Sequence, residues 1–88
     1  MVVLAWRIPQ RNKCTLECRI LDETLVYCLR SERCFLLNKT ATEIWNACNG
    51  QRSIAEIIRC LGQPEDDVMQ MIISLWDQGL LEVDQAFQ

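Results

Sequence analysis

Hydrophobic and polar positions change their period once along this chain. Between Leu16 and Asn38 the apolar residues fall in short runs, Leu25-Val-Tyr-Cys-Leu29 and Cys34-Phe-Leu-Leu37, separated by Arg30-Ser-Glu-Arg33, a polar stretch of hairpin length. A shorter run at Cys18–Leu21, turned by Asp22-Glu23, precedes them, and together the runs predict a three-stranded antiparallel sheet. Beyond Asn38 the spacing becomes helical. Thr40 with Glu43, and Ser53 with Glu56, fit the capping box, in which a hydroxyl and a carboxylate satisfy backbone N–H groups at a helix start. The first helix is expected over Thr40–Asn49 and the second over Ser53–Leu61, each stopped by the glycine that follows, Gly50 and Gly62. Pro64 and the acids Glu65, Asp66 and Asp67 open a third helix that runs to Gly79, their charge complementing the helix N-terminal dipole.

Within the third helix Val68, Met71, Ile72, Leu75 and Trp76 follow the spacing of a buried stripe, while Met69 and Ile73 widen the apolar face beyond it. Leu80–Val83 reads as a short terminal strand or an extension packed on the core. Pro9 and the polar Gln10–Lys13 set the start of the chain apart. The expected organisation is an N-terminal arm over residues 1–15, one domain over 16–84 and a C-terminal tail over 85–88. The fold class is α+β: a three-stranded antiparallel sheet followed by three helices, the composition of a winged helix-turn-helix.

Composition narrows the functions open to such a domain. Eighty-eight residues, half of them apolar and three of them Trp, make one genuine core and leave little room for a deep catalytic cleft. The apolar start Met1–Trp6 lacks the basic residues and length of an export signal, and no run approaches a membrane span, so the chain is expected in the cytoplasm with its six cysteines reduced. With no histidine, the commonest general base is missing. No C-x₂-C spacing supports a zinc site. Cys14 and Cys18 match the first two ligands of a radical-SAM cluster motif, but Leu21 stands where the third cysteine is needed. Neither a G-x-G-x-x-G nor a P-loop occurs. Asp66 and Asp67 point about 100° apart on a helix and do not converge. No metal or cofactor is expected.

The charge is divided. Residues 1–59 hold all nine Lys and Arg against six acids, whereas residues 60–88 hold six acids and no base. A winged helix-turn-helix that bound DNA would lay its third helix in the major groove, and this one carries Glu65, Asp66, Asp67 and Asp77 without a compensating cation. A regulator contacting DNA through the basic N-terminal half is the alternative function, and a structural subunit docking by its wide helix face is a third.

Leu37-Asn38, Thr40-Ala41, Ile44-Trp45, Gly50, Ser53-Ile54, Glu56-Ile57 and Gly79-Leu80-Leu81 form a set that resembles the PqqD-like RiPP recognition element, the domain that captures leader peptides of ribosomally made, post-translationally modified peptides. The resemblance spans Ile20–Val83. Leu37, Ile44, Trp45, Ile54 and Ile57 read as core, and Asn38 and Ser53 as helix caps. The resemblance implies a noncatalytic binding protein, a monomer or weak dimer, whose third strand pairs with the leader beside the third helix. The expected contacts are Arg33, Cys34, Phe35 and Leu36 along the strand and Met69, Ile73 and Trp76 across from it. The implied partners are the precursor leader and a separate enzyme, either a radical-SAM protein or a lasso-type protease and cyclase, with no nucleic acid and no membrane. The acidic third helix and Arg30 and Arg33 of the hairpin call for a leader of complementary charge.

Overall fold

The computed structural model describes residues 6–83, which form two small sheets and three helices. In chain order these are β1 (Pro9–Arg11), β2 (Thr15–Ile20), β3 (Glu23–Cys28), β4 (Arg33–Leu37), α1 (Lys39–Ala47), α2 (Ile54–Leu61), α3 (Glu65–Asp77) and β5 (Leu81–Val83). The expected antiparallel sheet is present in the order β2-β3-β4. Register pairs Val26 with Phe35 and Thr24 with Leu37, so the side chains of Thr24, Val26, Cys28, Phe35 and Leu37 share one face. All but the half-buried Phe35 are buried there, in a core completed by Ile44 and Trp45 of α1, Ile54 and Ile57 of α2, and Val68, Ile72 and Leu75 of α3.

The other face of this sheet carries Leu16, Cys18 and Ile20 of β2, Leu25 and Tyr27 of β3, and Cys34 and Leu36 of β4. No helix covers it, and Leu16, Ile20 and Leu36 stand exposed. At the β2–β3 turn Leu21 has φ of 56°, an uncommon conformation for a branched side chain, and is 91% exposed.

Beside the expected sheet lies a second one. β1 pairs antiparallel with β5, Pro9 opposite Val83 and Arg11 opposite Leu81, so the two ends of the described chain meet. Arg11 ties this pair to the rest: Nη1 donates to the Trp45 carbonyl oxygen at 3.2 Å, and Nε lies 4.0 Å from Glu17. Glu17 in turn accepts from the Trp45 indole Nε1 at 3.0 Å, which satisfies the one polar atom of a fully buried tryptophan.

Helix starts and stops follow the expectation at α2 and depart from it at both ends of α1. α2 begins with the capping box at Ser53 and Glu56 and ends at Gly62 in the left-handed conformation. At α1 the capping box of Thr40 and Glu43 does not form. Asn38, also read as a cap, holds this position, its side chain accepting from the Ala41 N–H at 2.8 Å, and Glu43 accepts from the Gln63 side-chain amide. An asparagine at the end of β4 reaches the free N–H groups before Thr40 is in position to do so. α1 also stops at Ala47 with Cys48 as its C-cap, short of Gly50. Gly50 belongs to the following turn, where its N–H donates to the Pro9 carbonyl and its φ of 80° excludes most side chains.

Candidate functional site

A strand at the end of a sheet leaves half of its N–H and C=O groups without a strand partner. β4 is such a strand: among the described residues, β3 occupies one side and no strand the other. Its far end is anchored, since the Thr42 hydroxyl donates to the Leu37 carbonyl at 3.1 Å and Asn38 caps α1. Along it, side chains alternate. Cys34 and Leu36, the latter 60% exposed, point to the uncovered sheet face. Arg33 and Phe35 point to the helical side, where the guanidinium lies over the ring at 5.4 Å from its centroid and Phe35 packs against the core.

Where β4 gives way to α1, a groove of about 480 Å³ opens between that junction and α3. Asn38, Thr40 and Ile44 form one wall, and Asp67, Gln70, Met71 and Ser74 the other. The second set follows i, i+3, i+4, i+7 along α3, one flank of the helix beside the buried stripe of Val68, Ile72 and Leu75.

The expected contacts therefore divide. Arg33, Cys34, Phe35 and Leu36 stand on the open strand. Met69, Ile73 and Trp76 occupy the opposite flank of α3, since residues 69 and 71 are roughly 160° apart around a helix. Met69 is half-buried against the core, while Ile73 and Trp76, 45% and 39% exposed, line a separate depression of about 380 Å³ with Asp77. The expected stripe is accordingly narrower than its sequence spacing: Trp76 lies largely outside it, and Met71 is half-buried at the groove wall. Asp67, Gln70, Met71 and Ser74 were not among the residues expected at the site. Their spacing was visible, but the flank of α3 that faces the strand end depends on how α3 sits against α1.

Two thiols away from the groove have shifted ionisation. Burial pushes Cys48 up to about 12, and the Ser31 hydroxyl and N–H at the β3–β4 turn hold Cys28 below the usual cysteine value. All six cysteines are free, and among the described residues no group of His, Cys, Asp and Glu is placed to hold a metal ion. Nor is any helix among them long and apolar enough to cross a membrane.

An α+β domain with three helices, an open edge strand and a groove at that strand's end defines the class of protein. The chain belongs to the PqqD family, whose model, described as coenzyme PQQ synthesis protein D, matches residues 23–81. The resemblance to the PqqD-like recognition element read from the sequence is thereby borne out. Among solved structures, the chain is similar to TbiB1 in complex with the TbiA(beta) leader peptide, with a TM-score of 0.73 and 21% identity over 83% of this chain and 94% of that one. At this identity the likeness establishes a shared fold. No curated protein matches the sequence significantly.

Proposed function

We propose that this chain is a noncatalytic leader-peptide-binding protein of a peptide-maturation pathway, capturing its ligand by strand addition to β4. The observation that carries the reading is the open edge of β4 ending at the groove beside α3. A peptide laid along that edge forms main-chain hydrogen bonds whatever its sequence, and alternate side chains reach the helical side and the uncovered sheet face. Those on the helical side meet Phe35 and the groove; those on the other stand beside Cys34 and Leu36. Membership of the PqqD family and a fold shared with a protein solved in complex with a leader peptide support the same reading.

Such a protein acts by raising the effective concentration of the precursor at a separate enzyme, a radical-SAM protein or a lasso-type protease and cyclase. Its own residues need only bind and release. One edge and one groove correspond to micromolar affinity, about −8 kcal/mol.

Calorimetric titration with the leader of a precursor encoded beside this chain tests the reading. One-to-one binding is expected, and Leu36→Pro, which removes an N–H from the strand and distorts it, is expected to abolish it. Undiminished binding by a Leu36→Pro protein with native circular dichroism would place the peptide elsewhere.

A further inference from the structure

The groove beside α3 has a chemical character that the capture reading does not require. It holds one formal charge, the carboxylate of Asp67. Around it stand the amide, hydroxyl and carbonyl groups of Asn38, Thr40, Gln70 and Ser74, while half-buried Met71 supplies the accessible apolar surface and Ile44 is fully buried. Asp67 makes no hydrogen bond or ion pair with another side chain among the described residues. α3 carries no Lys or Arg of its own, and Lys39, between Asn38 and Thr40 on the facing wall, forms no ion pair with Asp67. An apolar wall ending at an unpaired carboxylate matches a long aliphatic side chain that ends in a cation.

We infer that this groove selects a lysine or arginine of the captured peptide, its methylenes along Met71 and its charge at Asp67. The inference rests on capture at β4 and names the sequence class of the ligand. It also fixes a polarity. Arg33 lies at one end of β4 and the groove opens at the other, past Leu37. At about 3.3 Å per residue a bound strand spans that distance in roughly four to six residues, so an acidic residue beside Arg33 and the basic one at Asp67 are separated by that interval. In an antiparallel leader the basic residue comes first.

Selection of random 15-residue peptides by mRNA display on the immobilised chain, washed at 0.3 M salt, tests this without knowledge of the natural precursor. Wild-type protein is expected to enrich peptides with Lys or Arg at one fixed position of their alignment. Asp67→Asn should erase that enrichment while still recovering peptides, and Asp67→Lys should replace it by Asp or Glu. Replacing the selected basic residue by Ala in a recovered peptide should weaken binding about two- to fivefold. A charge that serves only the start of α3 would change the melting temperature of these variants and leave the recovered sequences unchanged, which overturns the inference. So does a basic bias spread over all positions, the signature of general attraction to an acidic domain. In either case peptides that are lost on Leu36→Pro leave capture at β4 standing. Recovery of no peptides by the wild type, or equal recovery by folded Leu36→Pro, removes the capture reading and this inference together.

Discussion

Trp45 shows how one residue joins several parts of this domain. It is fully buried, its indole N–H donates to Glu17 of β2, and its carbonyl accepts from Arg11 of β1. Trp45→Ala removes the largest side chain of the core and is expected to cost about 3–5 kcal/mol, a large part of the stability of a domain this small. Loss of a cooperative thermal transition checks this. Cys48 gives a residue-scale prediction of pH dependence. Its folded pKa is raised from 9.0 to about 12 by burial, so between those values the unfolded chain has lost a proton that the folded chain keeps. The stability tied to this thiol is whole below pH 9 and is lost as pH rises toward 12, at up to about 1.4 kcal/mol per pH unit. Urea denaturation at pH 8 and 10.5 should show wild type losing about 2 kcal/mol more than Cys48→Ala. Single core residues were the most legible part of the sequence: Leu37 of β4, Ile44 and Trp45 of α1, and Ile54 and Ile57 of α2, all read as core from the pattern they share with the recognition element, lie in the core. Trp76 was not legible. Its spacing fits the stripe, and only the packing of α3 leaves it half outside.

At the scale of elements, the helix caps were readable to the degree that they are local. The Ser53 and Glu56 box forms because both partners belong to the same turn. Thr40 and Glu43 satisfy the same pattern, but Asn38 takes the role, placed by the end of β4. Asn38→Ala should therefore lower stability by about 1 kcal/mol in denaturation, whereas Thr40→Ala, exposed and inside the helix, should change it by less than about 0.5 kcal/mol. β2, β3 and β4 were legible from their apolar runs. β5 was one of two readings of Leu80–Val83, but β1 was not legible, since a strand of Pro9-Gln-Arg has no period to read and its partner lies at the other end of the described chain. The groove was hidden for a related reason. The apolar flank of α3 drew attention to Met69, Ile73 and Trp76, while the mixed flank of Asp67, Gln70, Met71 and Ser74 faces the strand end.

For the whole molecule, the pairing of β1 with β5 makes the start of the chain part of the fold. Removing residues 1–12 takes away Pro9, which is buried, the three-residue ladder and the Arg11 contacts to Trp45 and Glu17. A loss of at least about 2 kcal/mol is expected, lowering the melting temperature by roughly 10 °C. The charge division acts at the same scale. A peptide captured at β4 as proposed would lie between the acidic surface of α3 and the basic residues of the β3–β4 turn, and exposed charges of this kind set the encounter rate and are screened by salt. Arg33→Glu should slow association and flatten its salt dependence in stopped-flow fluorescence, while Met71→Ala, which removes part of the groove wall, should mainly speed dissociation.

A peptide that adds to β4 as a strand changes amide hydrogen exchange across Arg33–Leu37, measured with and without a bound leader. Strand addition ties up the outward-facing N–H groups of β4, so exchange there should slow at least tenfold at saturation, with smaller changes along Asp67–Ser74 and none in the exposed turn at Leu21. Protection confined to the Ile73 and Trp76 flank of α3, with β4 exchanging as in the free protein, would contradict the account.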